Sequence, residues 1–372
     1  MQFIKASRDS ILKPLSTVAG IVERRHTLPI LANVLLRKEG DLVSFLATDV
    51  EIQIQTTASI GSGSEANATT LSARKLIDIL KALPEGPEVS ISVSNKKATI
   101  QAGKSRFQLQ TLGAEEFPTV AINDQFSASF SLPQKQLKHL FQMVHFAMAQ
   151  QDIRYYLNGL LLVTDGHAVR VVATDGHRLA FASATLDVEV PKQEVILPRK
   201  TVIELQRLLS DAGGDNQPQI AMQFANNQAK FTFGDMEFVT KLVEGKFPDY
   251  NRVIPKNHRN SVTLGRVPLL ASLQRTAILT SDKFKGVRLN IDPGTLRVAS
   301  NNAEQEEAVD ELDIDYGGDS IEIGFNVTYL IDALSNMSQD MVKIDLADAN
   351  SSALITIPDN ATFKYVVMPM RI

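Results

Sequence analysis

Pro198-Arg199-Lys200-Thr201-Val202-Ile203-Glu204-Leu205-Gln206-Arg207-Leu208-Leu209 is the stretch on which the fold of this chain turns. An apolar run, Glu194-Val195-Ile196-Leu197, leads into it as a strand. Proline suits the boundary, because its ring fixes φ and it has no N–H to donate. Val202, Leu205 and Leu208-Leu209 then recur at helical spacing, while Lys200, Glu204 and Arg207 fall on other sides. The pattern predicts a short amphipathic helix with basic residues at its solvent edge.

The same strand-to-helix step occurs three times. Leu71-Ser72-Ala73-Arg74-Lys75-Leu76-Ile77-Asp78-Ile79-Leu80 is the first copy, and the run from Ile321 to Leu334 is the third. Lys75 and Lys200 are 125 positions apart, and Lys200 and Val327 are 127 apart. A second helical run opens each third: Ile11 to Val18, Leu137 to Phe146 and Leu269 to Ile278. Phenylalanine-proline turns at Phe117-Pro118 and Phe247-Pro248 keep the beat in two of the thirds. A solenoid repeats every 20–50 residues or so. This longer period predicts three tandem domains of ordinary size.

Composition narrows the function classes. The chain has 372 residues, 44% of them hydrophobic and 22% charged, with a net charge of −4. It has no cysteine, which excludes disulfides and thiolate chemistry and suits a reducing cytoplasm. The N-terminal Met1-Gln2-Phe3-Ile4-Lys5-Ala6 lacks the apolar core of a signal peptide. No apolar run approaches the ~18 residues of a membrane span. Mild acidity argues against a general nucleic-acid binder, unless the charges are segregated. They are segregated. No lysine or arginine lies between Arg297 and Lys343, where acidic residues from Glu304 to Glu322 crowd. Basic residues gather at Arg24, Arg25, Arg74, Lys75, Lys135, Lys138, Arg199, Lys200, Arg207 and Arg275, several of them on the repeated helices.

Within the first third, Ser7 or Asp9 caps a helix carrying Ile11, Leu15 and Val18, with Pro14 tolerable only near its first turn. Asn33 to Arg37, Val43 to Ala47 and Glu51 to Gln55 are predicted strands. Gly61-Ser62-Gly63-Ser64 resembles a dinucleotide fingerprint, but Asn67 to Thr70 leads into a strand, so it is a loop. Gly103-Lys104-Ser105 resembles the end of a P-loop, but Ala98 stands where the first glycine must be.

The middle third carries Thr164-Asp165-Gly166-His167 and Thr174-Asp175-Gly176-His177. Two aspartates and two histidines raise the thought of a metal. The better expectation is a pair of tight turns, because Asp-Gly is a preferred type I′ pair. Leu160 to Val163 and Ala168 to Ala173 flank the first unit as strands. His177 and Arg178 then project from a turn. The last residues, from Phe363 to Ile372, are mainly apolar, end on Ile372 and include Met368-Pro369-Met370. Such a tail is expected to be tied down, its methionines filling a core edge or lining an adaptable groove.

Five stretches carry a resemblance. They are Arg154 to Gly159, Ala173 to Leu179, Lys246-Phe247-Pro248-Asp249-Tyr250, Asn301 to Glu307 and Val366 to Arg371. In that order they make the whole chain resemble the bacterial sliding clamps, the β subunits of DNA polymerase III. The resemblance implies an α+β fold of three tandem domains, 1–126, 127–253 and 254–372, each with two helices backed by antiparallel sheet. It implies a head-to-tail homodimer closing a six-domain ring around double-stranded DNA. It implies a processivity subunit with no catalytic residues, no cofactor and no metal.

The resemblance also implies roles for residues. A groove for short linear motifs would draw on Arg154, Tyr156, Leu157, Thr174, Gly176 and His177. Arg178, Leu179, Pro248, Arg252, Val253 and Ser352 would continue it. Val366, Met368, Pro369, Met370 and Arg371 would complete it. Its partners would be the polymerase α subunit, the clamp loader δ subunit, other polymerases, and mismatch-repair or ligase proteins. DNA would meet Arg25, Arg74, Lys75, Gln151, Tyr155, Tyr156, Arg199 and Lys200. The dimer contact would set Lys75, Phe107 and Leu109 against Ile278, Leu279, Glu304, Glu306 and Glu307. Two alternatives stand beside this one. A monomeric peptide-binding scaffold would have no DNA role. A metal-dependent hydrolase would use His167, His177 and the aspartates, but no nucleophile–base motif accompanies them.

Overall fold

A computed structural model of the chain describes residues 2–23 and 27–372. Arg24 and Arg25, expected in the turn after the first helix, lie outside the described residues. Six α-helices are present among the described residues: α1 Arg8–Ala19, α2 Ala73–Ala82, α3 Gln134–Val144, α4 Arg199–Leu208, α5 Arg266–Ala277 and α6 Val327–Asn336. Two fall in each third of the chain. α2, α4 and α6 each start directly from the end of a strand, at Ser72, Pro198 and Asn326. Ser72 accepts from Lys75 N and Asn326 from Thr328 N, so side-chain oxygens satisfy N–H groups the first turn leaves open. At α4 the proline takes that boundary.

The chain packs as two compact units, residues 1–135 with 207–242 and residues 136–206 with 243–372. In the first unit, strands Gln2–Ser7, Glu88–Ser94, Lys97–Ala102 and Ser105–Gln110 form an antiparallel sheet in that order. A second sheet of eight strands joins the first third of the chain to the middle third. The join is Ile52–Ser59 against Met236–Lys241, with Ile54 opposite Phe238. α1 buries Ile11, Pro14, Leu15 and Val18, and α2 buries Leu76 and Leu80. Each such side chain contributes about 1.5–3 kcal/mol by leaving water.

Ser7 caps α1 by accepting from Ser10 N. Pro14 departs from expectation: it sits in the second turn of a helix that starts at Arg8. One backbone hydrogen bond is absent there. The buried ring of Pro14 and its apolar neighbours on the same face offset that loss. Gly61 to Gly63 form a loop, followed by the strand Asn67–Ser72. Gly103-Lys104 is a hairpin turn, and Gly103 has φ +54, which explains a glycine there.

In the second unit, strands Gly159–Thr174, Arg178–Pro198, Asn360–Val367, Ala353–Ile357, Met341–Leu346 and Asn260–Gly265 form a six-stranded antiparallel sheet in that order. It joins the middle third to the last through Leu179 opposite Val366 and Phe181 opposite Lys364. A four-stranded sheet runs Glu307–Asp313, Thr295–Asn301, Gly286–Asp292, Ile321–Asn326. The final residues are tied down, since Met368 N donates to His177 O and Met370 N to Gly324 O.

Three local expectations are corrected. Thr164 to His167 is not a hairpin turn. The strand runs unbroken from Gly159 to Thr174, with register shifts at Thr164/Gly166 and Gly166/Ala168. Gly166, at φ +60, forms a bulge there. The second unit is a hairpin turn, but not of type I′. Gly176 has φ +90, and Asp175 is not in the left-handed region. Asp175 Oδ1 instead accepts from His177 N and Arg178 N, and Thr174 Oγ1 donates to Arg178 O. In α4, Glu204 is buried beside Thr201, Val202 and Leu205, while Leu208 is only half-buried.

Candidate binding groove

The hairpin Thr174 to Arg178 is held by its arginine. Arg178 does not project into solvent; its side chain is 9% exposed. Its Nε donates to Asp175 at 3.2 Å, its Nη1 to Asp332 at 2.7 Å and its Nη2 to Phe146 O at 2.8 Å. The guanidinium lies 4.5 Å from the ring centre of Tyr329 and 5.7 Å from that of Phe146. Burial works against its charge, but Tyr365, Asp332 and Asp175 outweigh burial and raise its pKa. Burial also pushes the Tyr365 phenol well above its usual range, so near neutrality the phenol is uncharged. There the two carboxylates are the charges that compensate the cation. Tyr365 donates to Tyr329 O, and His177 stacks on the Tyr329 ring. The hairpin of the middle third is thus fastened to α6 of the last third.

Beside this post lies an apolar cluster. Leu161, Val163, Val172, Leu179, Phe181 and Ile196 are buried together with Phe247, Leu354 and Val366. Tyr156, Val243, Tyr250 and Ile254 pack on it and are partly open to solvent. Of the expected groove residues, Tyr156, Leu179 and Val366 join this cluster. Leu157 and Thr174 are buried, and Gly176, His177, Pro248, Met368 and Arg371 are exposed. Pro369 and Met370 are half-buried on the tethered tail. Arg154 is exposed, and its guanidinium pairs with Asp152 and donates to Asp175 O. It holds the Asp152 carboxyl down at about 2.

Arg252, Val253 and Ser352 do not join the apolar cluster. They line a neighbouring cleft of about 790 Å³, built from residues 251–258, Asp345, Ala347 and residues 350–352. The groove set read from sequence therefore separates into an apolar floor and a polar extension, connected through Ile254. Sequence alone missed Phe146, Tyr329, Asp332 and Tyr365. The available signal was on α6: Tyr329 and Asp332, three apart, fall off the face that buries Val327, Leu330 and Ala333.

The residues expected to meet DNA fall in both units. In the first unit, Arg74 and Lys75 are exposed on α2, where Arg74 lies 3.9 Å from Asp78. In the second, residues 148–158, a loop that ends in the short 3-10 helix Tyr155–Leu157, lie against the start of α4. Asn158 O accepts from Arg199 N, and Met148 O from Arg199 Nη1. Gln151, at φ +55, and Tyr155 are exposed on this loop, Tyr156 is half-buried, and Arg199 and Lys200 are half-buried beside it. Burial and the nearby Arg178 both lower the pKa of Arg199. Arg25 lies outside the described residues.

The expected dimer residues fall in both units. In the first unit, Phe107 and Leu109 alternate along the edge strand Ser105–Gln110, with Lys75 exposed on α2. In the second, Glu307 opens the edge strand Glu307–Asp313, and Glu304 and Glu306 are exposed just before it. Ile278, 76% exposed, and the half-buried Leu279 follow α5. Arg275 of α5 pairs with Asp310 of that edge strand.

His167 Nδ1 lies 3.2 Å from Leu186 O, and His177 is engaged by Tyr329. Among the described residues, no group of three or more histidine, aspartate or glutamate side chains is gathered as a metal ion requires. No helix among them is long and apolar enough to cross a membrane.

Comparison with known proteins accounts for this arrangement. Family models of the DNA polymerase III beta subunit match in chain order: the N-terminal domain over residues 1–121, the central domain over 131–249 and the C-terminal domain over 251–371. The beta sliding clamp of Pseudomonas aeruginosa is 45% identical over 368 residues, covering 98% of each chain. That of Escherichia coli is 43% identical over 366 residues, again covering 98% of each. A crystal structure of the DNA polymerase sliding clamp from Pseudomonas aeruginosa superposes with a TM-score of 0.93 at 43% identity, covering both chains fully. The chain belongs to the DNA polymerase III beta subunit family, the beta sliding clamps. Its function is that of a sliding clamp in DNA replication, a processivity factor and not itself a catalyst.

Proposed function

We propose that two copies of this chain close head to tail into a ring around duplex DNA. The supporting observation is a pair of complementary sheet edges. Among the described residues, Ser105–Gln110 pairs only on its Lys97–Ala102 side, and Glu307–Asp313 only on its Thr295–Asn301 side. An unpaired edge is a template for another strand. The first edge carries Arg106 with Lys104 beside it; the second carries Glu307, Asp310, Glu311 and Asp313. Pairing them across two copies continues both sheets and brings opposite charges together. Sedimentation tests this: the dimer mass supports the ring, and a monomer at micromolar concentration overturns it.

Domain boundaries at 126/127 and 253/254 follow the repeat. Arg74 and Lys75, exposed on α2, and Arg199 and Lys200, half-buried at the start of α4, supply phosphate contacts without base readout. The apolar cluster around Leu179, Phe247 and Val366 takes the apolar anchor of a partner's linear motif. A Pseudomonas aeruginosa sliding clamp was crystallised bound to griselimycin, and one from Caulobacter crescentus with polyethylene glycol at its putative beta-motif tethering region. Partners of this chain would be the polymerase α subunit, the loader δ subunit, other polymerases, and repair or ligase proteins, all in the cytoplasm.

A further inference from the structure

The cleft that parts from the apolar floor at Ile254 carries chemistry of its own. Three basic side chains line it: Arg252, Lys256 and His258. Arg252 is 86% exposed and is met on one side by Asp249, which lies outside the lining. Lys256 is exposed and has no ion-pair partner among the described residues. The only carboxylate in the lining is Asp345, and it is 3% exposed. Asp345 is already engaged by Ser261, by Lys343 at 3.5 Å and by His258 at 3.7 Å. The nearby Asp348 turns its Oδ1 into its own loop, where it accepts from Asn350 N. The cleft therefore offers positive charge with no free carboxylate to meet it. Asn251, Asn350 and Ser352 add neutral hydrogen-bonding groups around it.

We infer that this cleft binds acidic residues flanking the apolar anchor of a partner's motif, extending the groove by a second, electrostatic subsite. The inference rests on the groove assignment above, because Arg252, Val253 and Ser352 belong to both. A peptide whose anchor sits over Phe247 and Val366 continues past Ile254 directly into the cleft. The floor then supplies most of the affinity. The cleft discriminates between partners with acidic and with neutral flanks, and it does so more strongly at low salt.

The test uses the full-length protein and two fluorescent peptides with the same leucine-phenylalanine anchor. One carries a pair of glutamates on each side, and the other carries serines there. Anisotropy titrations at low salt are expected to show the acidic peptide binding about fivefold tighter than the serine peptide. Lys256→Glu and His258→Ala, both at exposed positions outside the groove set, are expected to erase that difference and leave the serine peptide unchanged. No difference between the peptides on the unaltered protein overturns the inference, as does a difference that survives both substitutions. If neither peptide binds, the groove assignment itself fails and the inference falls with it.

Discussion

Arg178 and Asp332 are 154 residues apart in the chain and 2.7 Å apart in the fold. The contact joins the hairpin that carries His177 to the helix that carries Tyr329, so the groove wall is built from two thirds of the sequence at once. Breaking it should affect binding at a distance from any peptide atom. In Asp332→Ala, Arg178 keeps Asp175 and Phe146 O but loses a charge-assisted bond in a poorly solvated place. The expected cost is about 1–3 kcal/mol of stability. Thermal unfolding should show a lowered midpoint. Peptide affinity should fall with it, because the hairpin loses its anchor. A variant that melts and binds like the parent would show that Arg178 needs only Asp175.

Gly176 tests the same hairpin through its backbone. Its φ is +90, and a Cβ there would come within 3.0 Å of the Arg154 guanidinium. Arg154 is long and can swing away, so the lasting cost of Gly176→Ala is conformational, about 1–2 kcal/mol. The variant should unfold at a lower temperature and bind groove peptides more weakly. An unchanged melting midpoint would mean that the turn relaxes freely.

Asp152 gives a pH dependence with a definite sign. The Arg154 guanidinium, and then the Arg154 backbone N–H, lower its carboxyl from 3.8 to about 2, against a small opposing effect of burial. The folded value lies below the unfolded one. The contribution to stability is therefore complete above about pH 4 and is lost as pH falls through about 2. Carbon NMR of the Asp152 carboxyl should titrate near 2 in the parent and near the ordinary carboxylate range in Arg154→Ala. The same midpoint in both would remove Arg154 as the cause.

The repeat was legible because each second helix starts from a strand whose end is marked by Ser72, Pro198 or Asn326, and those are local signals. The apolar floor was legible in part, through Leu179, Val366 and the Phe247-Pro248 turn. The two Thr-Asp-Gly-His units show where local reading stops. Their letters are identical, yet one is a bulge and the other a turn. The difference is set across the sheet, where Thr164 faces Gln193 and Ala168 faces Thr185 on a strand that simply continues. Local sequence makes Arg178 project from its turn, because nothing nearby in the chain announces Asp332 or Tyr365. Helical spacing sets Glu204 off the apolar face of its helix, yet tertiary packing buries it.

Assembly can be tested at Ile278, which is 76% exposed at the end of α5, and at its neighbour Leu279. Replacing both with glutamate puts two more negative charges on the surface expected, with Glu304, Glu306 and Glu307, to meet the partner copy. An interface that pairs this surface with Phe107 and Leu109 should not survive that change. Sedimentation should show folded monomers with unchanged circular dichroism. A double variant that still sediments as a dimer would place the interface elsewhere.

The mode of holding DNA decides the largest part of the proposal. Arg74 and Lys75 are exposed on α2, and Arg199 and Lys200 lie half-buried at the start of α4. These are single cations on successive copies of one helix, each able to touch a phosphate and none arranged to read a base. Arg74 is further occupied by Asp78. Direct attraction should therefore be modest, indifferent to sequence and steeply weakened by salt. Reversing Lys75 and Lys200 to glutamate should weaken that attraction and flatten its salt dependence. Retention on a closed circle should instead depend on the ring. Loaded onto nicked circular DNA by a clamp loader, the protein should remain through a high-salt wash that abolishes its binding to short duplexes. A single cut in the circle should release it, because a ring slides off a free end. The comparison is protein retained on the circle and on the cut linear form in one buffer. Equal retention on both would mean that contacts hold the DNA, and the ring would have to be given up.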